Sequence, residues 1–236
     1  MIDLKFEIKH FVFFTISFLF FTIIGILSHE YGHILVAKSY GYKTYLHYGS
    51  MHFDYERTEE YVELETFYNS NKEGILDGSI IYPPNNLKNY NDKLKSNGFW
   101  ITVGGPTQTM LTGILGLVIL YFRKDKKTFQ FVDWLAVFLS LFWLREVFNL
   151  LTGLIQGFFF NKKYFGGDEF GISQYLELPT GTVSIILGFL GLLISLTVIF
   201  KIVPKINRFT FILSGLVGGL SGFYLWGFIL GPILLP

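Results

Sequence analysis

The chain has 236 residues, 51% of them hydrophobic and 19% aromatic, with only 16% charged. That balance belongs to an integral membrane protein and not to a soluble domain. Nineteen Lys and Arg against 18 Asp and Glu leave a net charge of +1. With no basic tract that reads as a phosphate-binding surface, nothing argues for a nucleic-acid partner. Cysteine is absent, which excludes disulfides, thiolate zinc sites and cysteine nucleophiles; zinc here must be held by His, Asp or Glu.

The first apolar run, residues 11–27, carries no charge and is long enough to cross a bilayer. It predicts a first span over about residues 10–38. Lys5 and Lys9 precede it as in a signal peptide, but the run is too long and no small-residue cleavage site follows, so it reads as a retained span. At its end stands Ser28-His29-Glu30-Tyr31-Gly32-His33. Two histidines four apart on a helix share a face one turn apart, so His29 and His33 can grip one metal ion, with Glu30 beside them to act on a bound water. Ionisable groups at membrane depth are costly unless paired or liganded, which favours a metal site over a polar patch at the headgroups.

Gly41 stops the helical pattern, and a polar insertion follows over residues 39–98. Residues 42–48 and 51–57, rich in Tyr, Thr and Phe, predict a β-hairpin turning at Gly49-Ser50. Residues 61–67 alternate Val62 and Leu64 with Glu63 and Glu65 and read as a further strand. Gly74, Gly78 and Pro83-Pro84 punctuate the rest, with Ile80-Ile81-Tyr82 a short apolar segment and residues 85–97 a short helix or loop. A second span is predicted from near Phe99 to Phe122, opening on Val103-Gly104-Gly105-Pro106-Thr107 and carrying Gly113 and Gly116 for close helix contact. The third covers about residues 131–160 and holds Arg145-Glu146 and Asn149. Adjacency there suggests that Arg145 and Glu146 pair. The fourth runs over about 182–202, and a glycine-rich fifth over about 209–235. The fold class is therefore an all-α polytopic membrane protein of about five transmembrane helices, with a small hairpin-containing insertion between the first two. Residues 1–236 form one integral membrane domain.

Lys5, Lys9, Arg123, Lys124, Lys126, Lys127, Lys201, Lys205 and Arg208 fall on one side of five spans, against Lys162 and Lys163 on the other. The N-terminus is predicted inside, and the hairpin and the loop around Asp168 outside, on the side where the histidine motif ends. A catalytic zinc takes three protein ligands and keeps one position open. Metzincin spacing is excluded, because Val36 and Ser39 occupy the stretch that would supply a third histidine. Asp168, Glu169, Glu146 and Asp133 are the carboxylate candidates; His47 and His52 lie on the hairpin. Asp168 is preferred, because Gly166-Gly167 lets the backbone turn sharply before it on the predicted side of the motif; the competing role is a helix cap.

These residues resemble the site-2 protease group of intramembrane zinc metalloproteases. His29-Glu30-Tyr31-Gly32-His33 is similar to the family's first signature, glycine included. Gly105-Pro106-Thr107-Gln108-Thr109 resembles the Gly-Pro of its second core helix, with Thr109 where the family has asparagine. Asp168 resembles its distal aspartate ligand, with Glu169 in place of a glycine and without the upstream prolines; Asn149 matches an asparagine of that third signature. The resemblance implies that His29, His33 and Asp168 hold Zn2+ and that the substrates are transmembrane segments of membrane proteins in the lipid bilayer of a cell membrane. Glu30 would act as general base on the zinc-activated water. The alternative is a zinc-binding membrane protein without proteolytic activity, which would keep the ligands and have no need of Glu30. A structural protein with a coincidental motif would bind no metal.

Overall fold

The computed structural model describes residues 5–80, 83–126, 128–160 and 165–236. Ile81, Tyr82, Lys127, Lys162 and Lys163, which the sequence reading used, lie outside them. The elements in chain order are α1 (Ile8–Ser39), a two-stranded antiparallel sheet of β1 (Lys43–Leu46) and β2 (Met51–Asp54), α2 (Glu59–Ser70), α3 (Lys72–Leu76), α4 (Asn85–Arg123), α5 (Phe131–Ser140), α6 (Leu144–Phe160), α7 (Gly167–Tyr175), α8 (Thr182–Thr197), α9 (Arg208–Tyr224) and α10 (Gly231–Leu234). Five helical stretches among the described residues are long and apolar enough to cross a membrane: Ile8–Ser39, Leu87–Arg123, Phe131–Phe159, Thr182–Ile202 and Lys205–Leu234. The chain is a multi-pass membrane protein with a small hairpin between its first two spans.

Aromatic packing and close backbone contact build the bundle. Phe14 and Phe18 of α1 meet Phe211 of α9 with ring centroids 5.2 and 4.9 Å apart, and Phe21 stacks on Phe138 of α5 at 4.9 Å. Ser214, Gly218 and Gly222 recur every fourth residue along α9, where small residues let two helix backbones touch. The Ser214 hydroxyl donates to Phe11 O, and a Cβ at Gly218 or Gly222 would run into Thr15 or Leu19. On α4, Gly113 and Gly116 likewise leave room for Trp143 and Ser140.

Several boundaries differ from the sequence reading, each for a local reason. Residues 61–67 are helical, not extended. Thr58 caps α2 by accepting from the Tyr61 N–H at 3.2 Å, and Glu59 and Glu60 occupy the first turn, where the helix dipole favours acids. The alternation of Val62 and Leu64 hides a helical face of Tyr61, Leu64 and Tyr68, of which Leu64 is buried and Tyr68 donates to Asn91. The hairpin forms, but Leu46↔Met51 is its last pair, so Gly49-Ser50 ends a four-residue loop closed by His47 N–H donating to Ser50 O at 2.9 Å. Residues 85–97 belong to α4, which therefore starts well before Phe99 and carries Pro106 in its interior. The third span is two helices joined by a 3₁₀ turn over Leu141–Trp143, where the Ser140 hydroxyl bonds back to Ala136 O and bends the chain.

Candidate metal centre

The C-terminal half of α1 places His29, Glu30 and His33 on the side of the helix that faces the protein. His29 is fully buried, and Glu30 and His33 are 7% and 6% exposed. The ligand atoms of these three side chains lie within 4.8 Å of one another, so the group can hold a metal ion. What lets it form is the contact with α4. Gly32 and Gly104 face each other at the crossing, and a Cβ at Gly32 would fall 2.5 Å from Gly104 O. One residue on, a Cβ at Gly105 would lie 2.5 Å from His29 Nε2 and closer still to His33 Nε2. Only glycine leaves that space free for the two imidazoles.

Each imidazole is oriented by α4. His33 Nδ1 lies 2.6 Å from Ile101 O and 3.2 Å from the Gly105 amide. A carbonyl only accepts, so at the shorter distance Nδ1 carries the proton, and Nε2 of the neutral ring presents a lone pair to the centre. Nδ1 of His29 lies 3.0 Å from Thr109 Oγ1. Pro106 lacks an N–H, which removes a rung of the α4 ladder beside these residues. Ser28 adds a longer contact, its hydroxyl 3.3 Å from Gln108 Oε1.

Asp168 reaches the same point from α7. Gly167 adopts a left-handed φ of +73°, a turn that suits glycine, and Asp168 follows in the first turn of the helix. The ring of Tyr175 at the other end of α7 stacks on Phe99 of α4 at 4.1 Å, tying the helix down. Asp168 Oδ2 lies 2.8 Å from His29 Nε2 and 3.4 Å from His33 Nε2, and the two Nε2 atoms are 3.1 Å apart. Ligands held ~2.0–2.1 Å from a tetrahedral zinc stand ~3.3 Å from one another, so this triangle is close to the required size. Burial acts to raise the Asp168 carboxyl, but the hydrogen bonds to His29 and then His33 outweigh it and hold that carboxyl well below the usual carboxylate range.

The other candidates stand elsewhere. Asp133 binds Arg123 at 2.6 Å at the opposite end of α4. His47 lies 2.6 Å from Pro236 O, and His52 is an exposed neighbour of Asp54 at 3.3 Å. Glu169 is buried and accepts from Asn149 Nδ2 at 2.9 Å, which fastens α7 to α6. Glu146 is buried beside it, with its carboxyl against that of Glu169. The suggested Arg145–Glu146 pair does not form among the described residues, because neighbours on a helix point about 100° apart. Sequence reasoning missed Ile101 O and Gly105 as parts of the site. The first is a backbone group with no residue signature; the second reads as part of a Gly-Pro pattern and not as a space for two rings.

The fold and the site together define a multi-pass membrane protein with a buried His-Glu-His group able to take a metal ion. No family model, no curated protein and no solved structure matches the chain.

Proposed function

We propose that the chain is an intramembrane zinc metalloprotease of the site-2 type, cutting peptide bonds in or near transmembrane segments of membrane proteins. The observation that carries this is the meeting of His29, His33 and Asp168 at 2.8–3.4 Å beside Glu30. Two neutral imidazoles and a carboxylate form a donor set suited to zinc, and the gap kept by Gly105 is the space the set encloses. When bound, zinc supplies polarisation of the scissile carbonyl and a water acidic enough to react near neutral pH. Glu30 accepts a proton from the attacking water and returns it to the leaving amine. Thr109 and Ile101 O fix the imidazole orientations, and burial by α1, α4 and α7 limits stray water.

The hairpin supports a mode of substrate binding. His47 pairs with Ser50, so the alternation of an antiparallel ladder turns the N–H and C=O of Met51 and Phe53 away from β1. The Met51 N–H donates to the Glu30 carboxylate, so the outward-facing groups of Phe53 offer a strand edge close to the reacting groups. A substrate segment added to it would be extended, with its carbonyls exposed, as hydrolysis requires. The decisive experiment is cleavage of a transmembrane substrate by purified protein with zinc measured in the same sample. Cleavage by the wild type that is lost in Glu30→Gln with zinc retained supports the protease; zinc bound to a wild type that does not cleave favours the metal-binding protein without proteolysis.

A further inference from the structure

At the end of the bundle remote from the histidines, a recess of about 210 Å³ is lined by Arg123, Lys124, Lys126, Phe129, Asp133 and Lys201 among others. Most of its cations come from the basic run at residues 123–127 of the sequence. Lys124 and Lys126 follow the end of α4, whereas Lys201 comes from the π-helical turn Val198–Ile202 after α8. That turn is fixed by Val203 N–H donating to Val198 O and by Arg208 Nε donating to Val203 O at 2.9 Å.

The charges in the recess are not equivalent. Arg123 is committed: Nε and one Nη bind the two oxygens of Asp133 at 2.6 and 3.1 Å, and that Nη also donates to Gln130 Oε1. Asp133 also accepts from the Gln130 N–H, so both of its oxygens are engaged. Lys124, Lys126 and Lys201 are exposed and have no carboxylate within 4 Å among the described residues, Lys124 lying instead over the Tyr121 ring at 4.4 Å. Three ammonium groups thus remain around a site whose one acid is neutralised. Phe122 and Phe131, 77% and 72% exposed, stand at the ends of the two spans that supply Arg123 and Asp133.

We propose that this recess binds the phosphodiester headgroup of an anionic phospholipid, with the lysines on the phosphate and the acyl chains along the Phe122 and Phe131 side. Clustered cations at the membrane surface attract anionic lipid, and basic pockets between spans hold such headgroups. Leu120, Phe129 and Ile202 in the lining and the exposed rings at the ends of the adjoining spans favour a lipid over a soluble phosphate, which would need no acyl path.

The test is the full chain purified in detergent, delipidated, and titrated by native mass spectrometry with phosphatidylglycerol, phosphatidylcholine or inorganic phosphate. The expected result is phosphatidylglycerol retained in preference to phosphatidylcholine, and retention weakened at least about tenfold by combined Lys124→Gln, Lys126→Gln and Lys201→Gln. The same three positions changed to Arg should retain it, and so should a control with Lys72→Gln, Lys93→Gln and Lys95→Gln. If the Gln triple does not fold, Lys201→Gln alone is read in its place. Equal retention of both lipids, or a Gln variant that holds phosphatidylglycerol like the wild type, would overturn the proposal. So would inorganic phosphate that displaces the lipid at millimolar concentration, which would mark a site for soluble phosphate.

Discussion

Asp168 Oδ2 and His29 Nε2 lie 2.8 Å apart across 139 positions of sequence. Two segments that share no local pattern are brought to one point by the packing of α7 on α4 and of α4 on α1. Asp168 occupies the first turn of α7 but spends its carboxylate on the imidazoles and not on capping the helix.

If that contact is one side of a zinc triangle, removing either partner should empty it. Purified His33→Ala and Asp168→Ala are each expected to lose zinc affinity by more than ~100-fold, beyond the 10–100-fold that loss of an orienting partner costs. Zinc per chain by elemental analysis decides this. Loss with His33→Ala but not with Asp168→Ala would make Glu30 the third ligand, since it shares the same 4.8 Å group.

Glu30→Gln separates binding from chemistry. The amide fills the same volume and cannot take a proton, so zinc should stay near the wild-type level while cleavage falls by ~10²–10⁴, the usual worth of a general base. Cleavage of a reconstituted transmembrane substrate, followed by gel or mass spectrometry, reads the outcome.

Gly105→Ala sets two effects against each other. Alanine favours a helix over glycine by ~1 kcal/mol, yet its methyl would sit on both Nε2 atoms. The variant is expected to fold and lose zinc, which a thermal melt and a metal assay on the same sample would show. Full zinc occupancy would mean that α1 and α4 can separate at the crossing.

Thr109→Val removes the hydroxyl that holds His29 Nδ1 at 3.0 Å while keeping the side-chain shape. Zinc affinity is expected to drop by ~10–100-fold, with Thr109→Ser close to the wild type. Competition with a chelator of known affinity measures the change.

Phe53→Pro tests the strand edge. The Phe53 N–H faces away from β1, so proline there should spare the hairpin while blocking an added strand. Phe53 also stacks on Tyr42 at 5.4 Å, so Phe53→Ala controls for loss of the ring. A several-fold rise in KM for Pro, absent in Ala, is expected. Unchanged cleavage in the proline variant would rule out strand addition.

Much of the membrane architecture was legible because it is written in long apolar runs that need no partner to be recognised. Span one was found almost to the residue, ending where Gly41 takes a φ of +85°. The hairpin was legible from Tyr, Thr and Phe on either side of a Gly-Ser turn. Residues 61–67 were misread because a helix with one buried stripe and a short strand can share four alternating positions. The cap at Thr58 decided it for helix. The start of α4 was misplaced because polar residues 85–97 extend a helix beyond its apolar part, and polarity alone does not tell a helix from a loop.

The sequence by itself determined the membrane class and the pairing of His29 with His33, because a helix puts residues four apart on one face whatever surrounds it. Only the tertiary structure brings a carboxylate, that of Asp168, into contact with them. Asp168, Glu169, Glu146 and Asp133 are alike in chemistry, and only the packing of α7 brings Asp168 to 2.8 Å while Asn149 holds Glu169 and Arg123 holds Asp133. It alone gave Gly105 its meaning, since the space a missing side chain leaves is defined by what another helix puts into it.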